Sequence, residues 1–261
     1  MTFAELNLIK PLLDALIKKG YTSPSPIQEK AIPPILLGKD IFGCAQTGTG
    51  KTAAFALPIL QLMNANKTPN KRREIKALIL APTRELASQI SENFKEYGSN
   101  LGFVHATIFG GVSQFHQVEA LKKGVDILIA TPGRLLDLMN QGFIKLGGIE
   151  YFVLDEADRM LDMGFINDIK KVIAKLPAKK HTMFFSATAA PNIMKLANTI
   201  LQNPVSVAVN PVSSTATLIK QSVYFVEKAK KTNLLKFVLK ENNIKHVLIF
   251  TRTKHRADKV A

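Results

Sequence analysis

Seven short apolar runs, at 40–44, 77–80, 104–109, 126–130, 151–154, 182–185 and 205–209, punctuate the first 210 residues. Several, such as Ala77-Leu78-Ile79-Leu80 and Tyr151-Phe152-Val153-Leu154, are apolar at every position rather than at alternate ones. That is the pattern of strands buried on both faces. Between the runs lie stretches whose apolar residues recur at helical spacing, for example 86–97, 134–140 and 192–201. Buried strands separated by helices predict an α/β fold: a mainly parallel sheet covered by helices on both faces. Residues 66–73, polar and strongly basic, read as an exposed loop.

Near Asn210-Pro211-Val212-Ser213-Ser214 the alternation breaks. The expected organisation is a first domain over 1–210, a linker over 211–217 and a second unit over 218–261. In the second unit the pattern predicts a strand at 221–226, a helix at 232–240, a strand at 246–250 and the start of another helix. Those 44 residues are too few to close a sheet covered on both sides, so the sequence reads as truncated within its second domain.

Composition narrows the setting. The chain has 261 residues, 46% hydrophobic, enough for one substantial core and part of another. Its N-terminus carries Glu5 where a signal peptide would be basic, and no apolar run nears the ~20 residues of a membrane span. The single cysteine, Cys44, excludes an internal disulfide and a multi-cysteine metal site. A soluble, cytoplasmic protein is expected. Net charge is +15, and residues 218–261 hold 11 Lys/Arg against 3 Asp/Glu. Such an excess favours a polyanionic partner, although a generally basic solvated surface gives the same sum, and charge does not separate RNA from DNA.

Two stretches carry the chemistry. Ala45-Gln46-Thr47-Gly48-Thr49-Gly50-Lys51-Thr52 matches A-x-T-G-x-G-K-T and, counted from Gly43, G-x-x-x-x-G-K-[ST]. Small residues let backbone N–H groups converge on phosphate oxygens, and the helix that follows favours negative charge at its N-terminus. Lys51 would reach the β- and γ-phosphates and the Thr52 hydroxyl would sit on Mg²⁺. Asp155-Glu156-Ala157-Asp158 follows the run 151–154, placing its acids at a strand's carboxyl end, where open α/β sheets bind ligands. One acid there, Asp155, can hold the metal while Glu156 polarises a water. Alone, the first stretch is also an ordinary strand-to-helix turn and the second a solvated helix start. Together they point to nucleoside triphosphate hydrolysis.

With these two in place, further segments resemble the DEAD-box family of ATP-dependent RNA helicases, in the family's order and from Phe3 to the end of the chain. Gly20-Tyr21-Thr22-Ser23-Pro24-Ser25-Pro26-Ile27-Gln28 is similar to the Q motif within residues 1–29, with Phe3 at its upstream aromatic position; Ser25 stands where threonine is usual. Pro82-Thr83-Arg84-Glu85-Leu86-Ala87, Gly110-Gly111 and Thr131-Pro132-Gly133-Arg134 resemble three RNA-contacting segments. Ser186-Ala187-Thr188 resembles the segment that couples hydrolysis to strand separation, and Leu248-Ile249-Phe250-Thr251-Arg252-Thr253-Lys254 the first motif of a second domain. The N-terminal Phe3-Ala4-Glu5-Leu6-Asn7-Leu8 and the stretch from Val153 to Phe165 look most like bacterial RhlE-type helicases.

The resemblance implies a RecA-like fold, ATP with Mg²⁺, RNA as partner, a monomer and no membrane. It assigns Gln28 to the adenine edge, where an amide can donate and accept together, and Phe3 or Tyr21 to stacking on the base. Without it, Gln28 reads as a turn residue and both aromatics as core. Arg84 and Arg134 would pair with RNA phosphates, or make surface ion pairs. Ser186 and Thr188 would hydrogen-bond Asp158, or merely satisfy the end of their strand. The family's later motifs, its arginine finger included, are not in the sequence, so residues 1–261 alone are expected to be weakly active or inactive. A DNA helicase of the same superfamily and a non-catalytic RNA-binding module are the rivals; Asp158 in place of His opposes the first, and intact Lys51, Thr52, Asp155 and Glu156 the second.

Overall fold

The computed structural model describes residues 1–67, 73–209 and 222–261. The chain divides into two compact units, Met1–Val212 and Ser213–Ala261. The first unit opens with helices α1 (Lys10–Lys18) and α2 (Pro26–Leu36), then strand β1 (Ile41–Cys44) and helix α3 (Lys51–Ala65). Strand and helix then alternate as β2 (Ala77–Leu80), α4 (Arg84–Tyr97), β3 (His105–Ile108), α5 (Phe115–Lys123), β4 (Ile127–Ala130) and α6 (Pro132–Asn140). It closes with β5 (Tyr151–Leu154), α7 (Ala157–Asp162), α8 (Ile166–Ile173), β6 (His181–Ser186), α9 (Pro191–Ile200) and β7 (Val205–Ala208).

All seven expected strands form, and they pair in parallel as one sheet in the order β3-β4-β2-β5-β6-β1-β7. Because side chains alternate across a strand, each central strand feeds two cores. On β5, Tyr151 and Val153 join the cluster that includes Phe55, Leu57 and Phe94, while Phe152 and Leu154 join one that includes Leu135, Met160 and Ile169. The sheet is thus covered on both faces, as its unbroken apolar strands require.

Asp40, at the mouth of β1, shows how the far end of the sheet is closed. Its carboxylate is buried and accepts from the backbone N–H groups of Thr182 (2.8 Å) and Gln202 (2.7 Å). Asp40→Ala strands both donors, so we expect a loss of about 2–4 kcal/mol in unfolding free energy. Urea unfolding checks this, and a loss under about 0.5 kcal/mol, the range of ordinary surface changes, would show that the contacts carry nothing.

The second unit departs from its sequence pattern. Its helices α10 (Lys231–Glu241) and α11 (Lys254–Val260) form where expected. The strands expected at 221–226 and 246–250 do not: the described residues of both stretches lack ladder pairing. Phe225, Leu248 and Phe250 are 98%, 78% and 88% exposed. A strand needs a neighbour to satisfy its N–H and C=O groups and a layer to cover its apolar face; the described residues of this unit supply neither. The linker at 211–217 and most of the basic loop at 66–73 lie outside the described residues. Among the described residues, no helix is long and apolar enough to cross a membrane.

Candidate functional site

Six strands of the first unit end in a segment that the sequence singles out. Residues 45–52 follow β1, 82–87 follow β2, 110–111 follow β3, 131–134 follow β4, 155–158 follow β5, and 186–188 close β6. Parallel strands put all six at one edge of the sheet, and the strand order sorts them. The adjacent strands β5, β6 and β1 carry the phosphate loop, the acids and the serine-threonine segment; the adjacent strands β3, β4 and β2 carry the other three.

On the first half, the phosphate loop turns into α3 through Gly50, whose φ of 95° is left-handed. A Cβ there would also lie 2.4 Å from the Gln28 amide nitrogen, so geometry and space both demand glycine. Lys51 is buried, and its Nζ donates to the Ala45 carbonyl at 2.9 Å; Ala45 N–H in turn donates to Ser186 O at 3.0 Å. An ammonium has three donors, so this contact leaves two for other acceptors. Gln46 and Thr47 are exposed, and the Thr49 hydroxyl donates back to Gln46 O at 2.7 Å. Above the loop lies a cavity of about 290 Å³ whose lining includes Thr47, Gly48, Lys51, Thr52, Asp155 and Glu156.

The two acids differ in kind. Asp155 is fully buried, and burial pushes its carboxyl up to about 6 even though the Lys51 ammonium pulls the other way. Its Oδ1 accepts from the Glu156 N–H at 3.0 Å. A carboxylate held against its own desolvation suits a hard cation, which would restore the charge balance. Glu156 has φ 51°, an uncommon conformation for a residue with a side chain and one that is found at functional turns. Its carboxylate accepts from the Thr47 hydroxyl at 2.7 Å and from Arg159 at 3.2 Å. Thr47 and Glu156 stand between the cavity and a smaller recess bounded by Asp158, Arg159, Asp162 and Ala187. Among the described residues, no three His, Cys, Asp or Glu gather as a metal cage.

Asp158 does reach the 186–188 segment, by a different atom from the one expected. Its Oδ2 accepts from the Ala187 backbone N–H at 3.1 Å. The buried Ser186 hydroxyl instead accepts from Thr188 N–H at 3.3 Å, and the Thr188 side chain is exposed. The link therefore runs through main chain, which side-chain chemistry could not reveal.

The N-terminal segment is also used in an unexpected way. Gln28 is buried; its Oε1 accepts from Ser25 N–H at 2.9 Å, and its Nε2 donates to Gly50 O at 3.1 Å. The Ser25 hydroxyl donates to Thr49 O at 2.7 Å. These bonds close a capping-box pattern at the start of α2 and tie that helix to the phosphate loop. Phe3 lies in the core with its ring centroid 6.1 Å from that of Tyr21. Tyr21 is 38% exposed and shares a hydroxyl contact of 3.2 Å with buried Tyr97. Leu86, Gln89, Asn93 and Tyr97 of α4 complete the cavity. They follow helical spacing, so their common face was legible although the motifs included only Leu86, and that for another role.

On the second half, Pro82, Thr83, Arg84, Gly110, Thr131, Gly133 and Arg134 line one open cleft of about 550 Å³. Thr83 caps α4, accepting from Leu86 N–H at 3.2 Å, so Arg84 is thrown outward with its guanidinium 5.4 Å from the Phe109 ring. Arg134 donates from Nη2 to Val112 O at 2.9 Å, while its buried Nη1 finds no partner among the described residues. Pro132 is buried at the first turn of α6, and Gly111 turns the loop at φ 78°. A Cβ at Gly110 or Gly133 would meet nothing within 4 Å among the described residues. The fold therefore does not itself require glycine at either place, whereas close approach of a second molecule would. Phe109, Met163 and Phe165 also line the cleft; the last two come from the loop after α7, which carried no motif for this role.

Comparison with known proteins places this arrangement. The profile of the family described as DEAD/DEAH box helicase matches residues 25–196. The chain is 42% identical over 259 residues to the DEAD-box ATP-dependent RNA helicase RhpA of Helicobacter pylori, covering 99% of this chain and 51% of that protein. It is 46% identical over 253 residues to the ATP-dependent rRNA helicase RRP3 of Meyerozyma guilliermondii, covering 97% and 52%. The chain thus spans about half the length of these relatives. The crystal structure of a DEAD box protein from Methanococcus jannaschii superposes with a TM-score of 0.73 at 36% identity, covering 100% of this chain and 69% of that one.

Proposed function

The chain belongs to the DEAD/DEAH box helicase family, and from that membership we propose that it binds ATP and RNA on the two halves of its sheet edge and couples hydrolysis to local unwinding of RNA. The observation that supports this most is the sorting of six segments by strand order into a phosphate-loop half and a glycine- and arginine-lined half. The relatives' names, ATP-dependent RNA helicase and rRNA helicase, supply the nucleotide and the strand type.

In this reading Lys51 and the first N–H groups of α3 hold the β- and γ-phosphates. Thr52 and Asp155 hold Mg²⁺, which supplies charge neutralisation of the phosphates when bound. Glu156 orients a water in the recess beside Thr47 and accepts its proton as the water oxygen bonds to the γ-phosphorus and the bond to the β-phosphate oxygen breaks. Asp158, through Ala187 N–H, carries the change to 186–188. Tyr21 stacks on adenine; Gln28 holds the phosphate loop and reads the base with the donor and lone pair its two bonds leave free. Arg84 and Arg134 take RNA phosphates, with Gly110, Gly111 and Gly133 admitting the sugar-phosphate chain and Thr83 and Thr131 fixing the loops that carry them. ATP turnover of the complete protein, measured without nucleic acid, with single-stranded RNA and with DNA of the same sequence, tests the reading. It predicts stimulation by RNA only; equal stimulation by DNA would favour a DNA-directed member of the superfamily, and no turnover a binding module.

A further inference from the structure

Phe115 is the first residue of α5 and is 63% exposed, although nothing in the hydrolytic site uses it. It follows the β3 loop on the same sheet edge as the arginine-lined cleft, and β3 is the outermost strand there. Hydrogen bonds tie the approach to this residue to α6, the helix that carries Gly133 and Arg134, and to the Gln141 that caps it. Arg134 donates to Val112 O at 2.9 Å. The Gln114 and Gln141 amides bond reciprocally at 2.9 and 3.1 Å. Gln141 also donates to Asp137, a cleft residue, at 2.9 Å. The Phe115 N–H is held by Ser113 Oγ at 3.3 Å, and the ring meets His116 edge-on with centroids 5.3 Å apart. The ring is thus presented to solvent on a braced loop, which lowers the entropy lost when something stacks on it.

Its neighbours identify the occupant. Ser113, Gln114, His116 and Gln117 are polar, so this is no broad apolar patch of the kind that docks a protein. It is a single exposed aromatic on the loop whose Val112 carbonyl is held by Arg134, a residue of the cleft. We propose that Phe115 is a stacking platform for an unpaired RNA base at the β3 end of the cleft, extending the RNA site beyond the motif segments. Phosphate contacts fix a strand's path without reading it; an aromatic at its end holds a base out of the duplex stack. The inference rests on the RNA reading above.

The chain contains no tryptophan, so Phe115→Trp places a single indole at the platform. The experiment follows that emission and the anisotropy of a labelled single-stranded RNA in one titration. The expected result is an emission change that saturates with the anisotropy. Phe115→Ala is expected to weaken RNA binding roughly 5- to 150-fold, the range for one base on an aromatic ring, with ATP affinity unchanged. RNA that binds without moving the emission, or binds Phe115→Ala as tightly as the parent, overturns the platform alone and leaves the ring to a protein partner or to none. No RNA binding by anisotropy in the parent protein overturns the RNA reading and the platform with it.

Discussion

In the complete protein, Glu156→Gln is expected to lower RNA-stimulated ATP turnover by roughly 10²–10⁴, the usual contribution of a positioned acid–base group, while leaving nucleotide and RNA affinity near their parent values. The amide keeps the length and one acceptor oxygen, so Thr47 can still donate to it, but it cannot take a proton from water. Its NH₂ would face the guanidinium of Arg159; that side chain is 57% exposed and free to swing away, so the fold should tolerate the change. The backbone at φ 51° is untouched by the substitution. Single-turnover hydrolysis with bound nucleotide separates chemistry from binding. Parent-level turnover in a folded variant would move the role to another group.

Lys51→Ala acts earlier and in two ways. It removes a buried ammonium from the face that would meet the triphosphate; losing one partner of such a pair costs about 2–5 kcal/mol, or roughly 30- to 5,000-fold in ATP affinity. It also removes the charge that holds down the Asp155 carboxyl. With only the Glu156 N–H left to oppose burial, that carboxyl rises above about 6 and is increasingly protonated near neutral pH, which weakens it as a metal ligand. The sign is definite. A folded-state value above the ordinary carboxylate range means that ionising Asp155 costs stability, a cost absent below about pH 4 and complete above about pH 6 in the parent. In Lys51→Ala the upper limit moves to higher pH. Calorimetric titration with Mg–ATP across pH 6–8 is therefore expected to show weak binding that improves with pH more steeply than in the parent. Parent-like affinity in a variant with native circular dichroism would remove Lys51 from the site.

The strands and both chemical motifs were legible because each is local. A parallel strand buried on both faces is an unbroken apolar run, so Ala77–Leu80 and Tyr151–Leu154 appear at their true limits. A phosphate loop is defined by adjacent glycines and a lysine. What escaped depends on contacts between distant residues. Nothing in the pattern places β2 between β4 and β5, because parallel neighbours are joined by crossovers and need not be consecutive, yet that order separates the two halves of the site. The Gln28 amide looked like a free reader of a base until Ser25 N–H and Gly50 O were seen to use it. Asp158 finds Ala187 N–H, a group every residue carries, so no side chain announced it. At 246–250 the apolar run is real, but a run becomes a strand only when a neighbour completes its ladder.

The division of one sheet edge into a nucleotide half and an RNA half is tested most directly by Arg84→Ala, with ATP and RNA affinities measured on the same preparation. Arg84 is exposed and its side chain touches only the Phe109 ring among the contacts described, so its loss should leave the fold intact. The account predicts RNA binding weakened by about 1.5–3 kcal/mol, the worth of a hydrogen bond to a charged group. It also predicts a salt slope for single-stranded RNA smaller by about 0.7, with ATP affinity unchanged. Unaltered RNA binding, or an equal loss of ATP binding, would contradict it.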